Sequence, residues 1–351
     1  MNRLLILDAS AMLNRYYFAG KSNNEIMGIP DKNGKIHPVK ALESFFSKIQ
    51  YLQNYGYEYI AVCLDHSKEL LNRKKIYPEY KSNRPPKDEA LSFQLGYLEK
   101  ICKKFNLPLF VSDGIEADDF AGSIATQLQN SFDGVDIITI DRDYFQLIDQ
   151  KTNILLMVPS ELDADGHPIT PADAPIGLER ITADKLKIQY GLTPSQIVDW
   201  KSLSGDTSDN IPGIKGVGDK AAIPLLQHYQ TLNNILIAAK TTDPNVLKEE
   251  WKTLGIKRAN PLTFITGESN AIMSYQLATI IKHLPVPQAK EQYRFQITKE
   301  QYQWLNEVFG MELYTNTHEY TPQPSIVSQP SEPDIPEPTQ IMEEEEIEMP
   351  F

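Results

Sequence analysis

An α/β fold, with a central mostly parallel sheet and helices on both faces, is predicted by three features of this 351-residue sequence. Short β-branched apolar runs alternate with stretches of helical periodicity through the first half, the rhythm of a parallel sheet. Three of those runs end on an aspartate, at Leu7-Asp8, Leu64-Asp65 and Ile140-Asp141. Beyond about residue 182 the strand signals fade, so the second half is expected to be mostly helical.

Residues 4–7, 60–64, 109–111 and 137–140 read as buried strands because they are short, apolar and followed by turn or helix signals. Between them, residues 41–55 carry apolar side chains at 42, 45, 46, 49 and 52, and residues 91–105 at 91, 95, 98, 101, 102 and 105, both near the 3.6 period. A further helix is expected over 120–128. In the second half, residues 183–190, 195–203, 218–229 and 271–281 read as helices, and no internal repeat is visible.

The net charge of −13 is unevenly spread. Eight acids and no Lys or Arg lie in 321–351, leaving −5 on residues 1–320. That segment also holds seven of the 24 prolines and a single aromatic, Phe351, too little apolar surface to offset its ordering entropy. A disordered acidic tail is expected over 321–351. The apolar runs fall far short of the ~18 residues a membrane span needs. The start reaches Asp8 after four apolar residues, too few for the roughly 7 to 15 of a signal peptide. With two cysteines, Cys63 and Cys102, the expectation is a soluble cytoplasmic protein with no membrane partner.

Ligands of open parallel sheets bind beyond the carboxyl ends of the strands, so Asp8, Asp65 and Asp141 are candidates for one shared site. Gly114-Ile115-Glu116-Ala117-Asp118-Asp119 leads into a helix, and Glu116 and Asp119 share one of its faces. Acids in a first helical turn also serve the helix dipole alone. Asp141-Arg142-Asp143 and Gly205-Asp206-Thr207-Ser208-Asp209-Asn210 complete the set, although Asp, Ser and Asn also favour plain caps and turns. The candidates are Asp8, Asp65, Glu116, Asp118, Asp119, Asp141, Asp143, Asp206 and Asp209. So many carboxylates in one cleft repel unless cations compensate them. An all-oxygen set without His or Cys selects Mg²⁺ or Mn²⁺ over zinc. Asp163-Ala164-Asp165-Gly166 lacks the spacing and terminal Glu of an EF-hand loop.

Residues 68–87 carry Lys68, Arg73, Lys74, Lys75, Lys81, Arg84 and Lys87 against Glu69 and Glu79, a local charge of +5 with Tyr77 and Tyr80 interleaved. Cations interleaved with aromatics suit single-stranded nucleic acid, the rings stacking on bases; a solvated helix with snorkelling lysines is the plainer alternative. Adjacency to Asp65 favours phosphodiester chemistry. The run Asn210-Ile211-Pro212-Gly213-Ile214-Lys215-Gly216-Val217-Gly218-Asp219-Lys220 is not a Walker loop, since Asp219 follows Gly218. Glycines 213, 216 and 218 allow a tight turn presenting N–H groups at a helix N-terminus, a phosphate site without base readout, or an ordinary interhelical turn.

In order along the chain stand Leu7-Asp8-Ala9-Ser10 with Arg15, Asp65, Tyr77-Pro78-Glu79-Tyr80-Lys81-Ser82-Asn83-Arg84-Pro85-Pro86, Glu116-Ala117-Asp118-Asp119, Asp141-Arg142-Asp143-Tyr144-Phe145-Gln146-Leu147 and Gly205-Asp206-Thr207-Ser208-Asp209-Asn210-Ile211-Pro212-Gly213. This set resembles the 5′-nuclease domain of bacterial family-A DNA polymerases and the related flap endonucleases, over roughly residues 1–290. The resemblance implies a PIN-like metal-binding nuclease domain over 1–182, with a helical arch near 68–98. It implies a helical part over 183–320, with a helix-three-turn-helix near 194–230 that grips duplex backbone and binds K⁺.

By motif position, Asp8, Asp65, Glu116, Asp118 and Asp119 would hold a first Mg²⁺, directly or through water. Asp141, Asp143, Asp206 and Asp209 would hold a second, with Mn²⁺ able to substitute. Lys81 would contact the scissile phosphate, Arg84 and Arg73 would stabilise its charge, and Tyr80 would stack on a terminal base. Arg15, Lys74 and Tyr77, together with Gly213, Lys215, Gly216, Gly218 and Lys220, would contact DNA bearing 5′ flaps, nicks or 5′ ends. Two-metal hydrolysis leaving a 5′-phosphate is the implied reaction, by a monomer. Three departures stand out: a longer Asp65-to-Arg73 link without its glycine, an insertion over 160–178, and Tyr275 where an Arg is usual. No polymerase domain follows, so a stand-alone nuclease or paralogue is expected. A PIN-type ribonuclease and a non-catalytic DNA-binding paralogue are the competing readings. The tip Ile347-Glu348-Met349-Pro350-Phe351 resembles the carboxyl ends of bacterial single-stranded-DNA-binding proteins, implying that Phe351 docks a replication or repair protein; a solubilising tail, and acids that lie in the chain's own basic arch and compete with DNA, are the alternatives.

Overall fold

Strand β1 (Arg3–Asp8) lies inside the sheet and is apolar on both sides because both sides are covered. Leu4 and Ile6 enter one core, Leu5 and Leu7 the other. The computed structural model describes residues 1–20, 28–30, 34–66, 71–163 and 168–313, all within one compact unit spanning 1–319. After β1 come α1 (Ala9–Gly20), a small hairpin of β2 (Gly28–Pro30) and β3 (Ile36–Pro38), α2 (Lys40–Tyr55), β4 (Tyr59–Cys63), α3 (Glu89–Lys104), β5 (Leu109–Phe110), α4 (Ala117–Leu128), β6 (Gly134–Thr139), β7 (Thr152–Met157) and β8 (Leu178–Ile181). The six-stranded sheet runs β5-β4-β1-β6-β7-β8, parallel except for antiparallel β8 at the edge. One face packs on Met12, Leu42, Phe45, Leu98 and Leu305, the other on Phe120, Ile124 and helices of the second half.

That second half is helical, as expected: α5 (Ala183–Tyr190), α6 (Ile197–Ser204), α7 (Asp219–Tyr229), α8 (Leu232–Thr241), α9 (Pro244–Thr253), α10 (Pro261–Thr266), α11 (Glu268–Ala278) and α12 (Lys299–Phe309). No helix among the described residues is long and apolar enough to cross a membrane. The sequence expectation omits β2, β3, β7, β8, α1, α8, α9, α10 and α12, and places α11 about three residues late.

The basic stretch differs from the expected helical arch. Residues 72–75 form one 3₁₀ turn, 77–84 a chain of turns, and the long helix starts only at Glu89. Pro78, Pro85 and Pro86 remove backbone donors there, and Lys81 takes a positive φ of 55° that a helix cannot accommodate. The lengthened link falls partly at 67–70, outside the described residues. Residues 164–167 of the insertion, the tail over 321–351 and Phe351 also lie outside them.

Candidate active site

Because β4, β1 and β6 are neighbours, Asp8, Asp65 and Asp141 leave the sheet side by side. Two hydroxyls hold these ends. Thr139 Oγ1 donates to Asp8 Oδ2 at 2.8 Å and accepts from the Asp141 N–H at 3.0 Å, while Ser10 Oγ accepts from the Asp65 N–H at 2.9 Å. Asp65 Oδ1 accepts from the N–H of Ala117, joining the strand ends to α4. Burial, reinforced by Asp65, pushes the Asp8 carboxyl up to about 7.

Glu116 occupies the N-cap position of α4, yet its side chain makes no cap bond. It turns instead to Arg73, whose Nη1 donates to Glu116 Oε2 at 2.6 Å and to Asp119 Oδ2 at 2.8 Å, while Nη2 donates to Asp119 Oδ1 at 2.8 Å. Nε and Nη2 of Arg73 also donate to the carbonyls of Leu277 and Thr279. Lys81 completes the group: its ammonium pairs with Glu116 Oε1 and lies 3.6 Å from Asp209 Oδ2. Burial alone would raise the Glu116 pKa, but Lys81 and Arg73 outweigh it and hold the carboxyl below its ordinary value. Asp118 goes the other way; burial raises it well above the usual range, against the pull of Arg73 3.9 Å away.

A second group forms where the sheet half meets the helical half. Asp141 Oδ1 accepts from the Asp143 N–H at 2.9 Å. Lys201 on α6 places its ammonium 2.5 Å from Asp143 Oδ1 and pairs with Asp206 Oδ2. Burial, with Asp141 adding, raises Asp143 to about 7; Asp206 is held at about 2 because Lys201 and the Ser208 donors outweigh its desolvation. Asp209 stands between the groups, its carboxylate meeting Lys81, Arg84 and Tyr80, its N–H donating to Asp206 Oδ1 at 3.3 Å. A cleft of about 570 Å³ opens beside Asp65, Lys81, Arg84, Glu116 and Ser208.

Two expectations need correction. Tyr80, expected to stack on a base, is 2% exposed in a small cluster with Leu71, Val198, Ile211, Leu277 and Ala278, its hydroxyl donating to Glu116 and Asp209 at 3.3 Å. Its apolar ring gains more from that pocket than from water. Arg73, expected to face a phosphate, is 7% exposed and fully engaged by carboxylates and carbonyls. Lys201 is the site residue that sequence motifs pass over; its one signal is a cation a helical turn before Asp206. Arg84 is exposed at the cleft rim, whereas Arg15, Lys74 and Tyr77 are half-buried.

Cations of the protein thus offset much of the carboxylate charge. Among the described residues no three acidic side chains are arranged as a ready metal cage. The donor chemistry still fits a hard divalent ion: all donors are oxygens, and the buried Asp118 Oδ1 makes no hydrogen bond.

The glycine turn between α6 and α7 is built by backbone pairing of Asp206 with Ile211 and by the Ile214 N–H on Leu203 O at 2.9 Å. Gly213 (φ 59°) lies so close to Gly205 that a Cβ would sit 2.3 Å from its nitrogen, whereas Gly216 (φ 81°) has open space around it. Gly213→Ala is therefore expected to cost about 1–3 kcal/mol from overpacking plus its left-handed strain, and Gly216→Ala about 1 kcal/mol, in urea unfolding. Lys215, Gly216, Gly218 and Lys220 are exposed on this turn.

A parallel sheet presenting acids beyond adjacent strand ends, with a helical half joined across them, has the architecture of resolvase-like, PIN-like nucleases. Residues 3–172 match the 5′-3′ exonuclease N-terminal resolvase-like domain, and residues 192–301 the 5′-3′ exonuclease C-terminal SAM fold. The chain belongs to the 5′-3′ exonuclease family. It is 33% identical over 301 residues to DNA polymerase I of Caldicellulosiruptor bescii, covering 85% of this chain and 31% of that one. With the 5′-3′ exonuclease of Buchnera aphidicola subsp. Schizaphis graminum it shares 29% over 287 residues, covering 81% and 88%. The chain therefore spans about a third of that polymerase and most of that exonuclease. T5 5′-exonuclease with bound zinc has the same fold, with a TM-score of 0.58 at 20% identity, covering 80% of this chain and 90% of that one.

Proposed function

We propose that this chain is a divalent-metal-dependent 5′-nuclease that hydrolyses DNA near junctions of single strand and duplex, as an exonuclease and flap endonuclease. The observation that carries the reading is the convergence of carboxylates from three adjacent parallel strand ends and α4 beneath a cation-rich segment. Asp8, Asp65, Glu116, Asp118 and Asp119 would hold one Mg²⁺ or Mn²⁺, and Asp141, Asp143, Asp206 and Asp209 another, supplying an acidified water and neutralisation of the reacting phosphate. Lys81 and Arg84 line the cleft, where their charges favour a phosphate and stabilise the charge it develops during displacement. Ser10 and Thr139 hold the strand-end carboxylates in register. Arg15, Lys74 and Tyr77 would flank the single strand. Lys215, Lys220 and the N–H groups at Gly216 and Gly218 would hold duplex phosphates, with K⁺ in the turn. A cytoplasmic monomer recruited through Phe351 completes the reading.

Lys81→Ala is expected to lower the single-turnover rate about 100-fold with little change in affinity, since a cation aimed at the reacting phosphate acts in the transition state. Lys215→Ala or Lys220→Ala should weaken binding to any duplex and reduce the salt slope by about one. Equal cutting of flapped DNA and single-stranded RNA by the wild type would replace this reading with a ribonuclease.

A further inference from the structure

Lys201 is placed where no motif requires a cation. It projects from α6, in the helical half, and its ammonium meets Asp143, which follows β6 of the sheet half, as well as Asp206 in the glycine turn. Its side chain is 14% exposed. The Lys201 ammonium lies 2.5 Å from Asp143 Oδ1, a buried oxygen whose close cationic neighbour is this lysine. Asp206 Oδ1, by contrast, is saturated by the N–H and hydroxyl of Ser208 at 2.7 and 2.6 Å.

We infer that Lys201 is an internal counter-cation that holds the Asp143–Asp206 pair assembled and gives way to a divalent ion, so that metal binding here is an exchange. Two carboxylates from separate halves of the chain, brought together in a poorly solvated place, repel each other. A lysine suits the task better than an arginine: its charge is compact, its stem flexible and its ammonium strongly hydrated, so it can withdraw to solvent with its proton. An arginine fork binds carboxylates two bonds at a time, as Arg73 does at Asp119. The two cations mark different roles: Arg73, tied also to two carbonyls, stays as structure, whereas Lys201 is exchangeable. The exchange lowers the apparent metal affinity of this side and keeps it assembled before the ion arrives.

This inference rests on the metal-dependent reading above, and the experiment separates the two. Mn²⁺ binding is measured by calorimetry on the full chain, alongside melting temperature in EDTA and in Mn²⁺. Lys201→Met is expected to bind its weaker Mn²⁺ about tenfold more tightly than wild type, while melting lower in EDTA and recovering in Mn²⁺. Lys201→Arg keeps the cation and should bind that ion no more tightly than wild type. Unchanged or weaker Mn²⁺ binding by a folded Lys201→Met, with wild type binding normally, overturns the exchange. Should that variant not fold, acetylation of Lys201 in the wild type, followed by mass spectrometry, replaces it: the rate should rise on adding Mn²⁺, and an unchanged rate overturns the inference. If wild type binds no Mn²⁺ that Asp143→Asn or Asp206→Asn weakens, the metal reading itself fails.

Discussion

Asp206→Asn and Asp141→Asn are each expected to slow single-turnover cleavage of a flapped duplex by about 100-fold or more while duplex binding stays measurable. Both substitutions keep the local scaffold. An asparagine oxygen at 206 can still accept from Ser208, and one at 141 can still accept from the Asp143 N–H. What disappears is a negative charge in a cluster whose proposed task is to concentrate divalent cations, which contribute several kcal/mol at the reacting phosphate. About 3 kcal/mol of lost transition-state stabilisation corresponds to roughly 100-fold in rate. A folded variant at either position with the wild-type rate would contradict the assignment.

The largest stability loss is expected far from the cleft, at Asp136 on β6. Its side chain is fully buried, receives Arg3 Nε and Nη2 at 2.7 and 2.8 Å, the Tyr57 hydroxyl at 2.8 Å and Arg180 Nη1 at 2.5 Å. One carboxylate therefore joins β1, the loop before β4 and the edge strand β8. Asp136→Ala leaves two guanidinium groups facing a void, and breaking such a buried pairing costs about 3–5 kcal/mol. Burial alone would raise the Asp136 pKa, but Arg3 and Arg180 hold it below its ordinary value. The folded state thus binds its proton less readily than the unfolded chain, so the contribution is present above about pH 4 and fades as pH falls through the folded-state value. In urea unfolding, the gap between wild type and Asp136→Asn should be widest near neutrality and close in acid. A constant gap from neutrality into acid would show that packing, not charge, dominates there.

Much of the fold is legible in the sequence because strands buried on both faces leave uninterrupted apolar runs, as at β1 and β4. The edge strand β8 is not: Leu178-Glu179-Arg180-Ile181 is too short for a pattern and is fixed by pairing with β7 and by Arg180 on Asp136. Helix α1 escapes because its polar residues are spread through it and its first turn has no acid. The acids of the site can be read from strand ends and a helix start, but their partners cannot. Arg73, Lys81 and Tyr80 look like an exposed basic-aromatic arch in a linear reading, and only tertiary packing turns them inward onto Glu116, Asp119 and Asp209. Lys201 meets Asp143 across 58 positions of sequence, beyond any local spacing rule.

The most direct test of the central claim, that these strand-end carboxylates serve metal-dependent phosphodiester hydrolysis on DNA, is cleavage of a 5′-flapped duplex mapped to the nucleotide, with Mg²⁺ and with excess chelator. Cutting is expected at or within about a nucleotide of the junction, with 5′-phosphate products and no cutting in chelator. Cutting that persists in chelator, or that is scattered along the flap without regard to the junction, would contradict it.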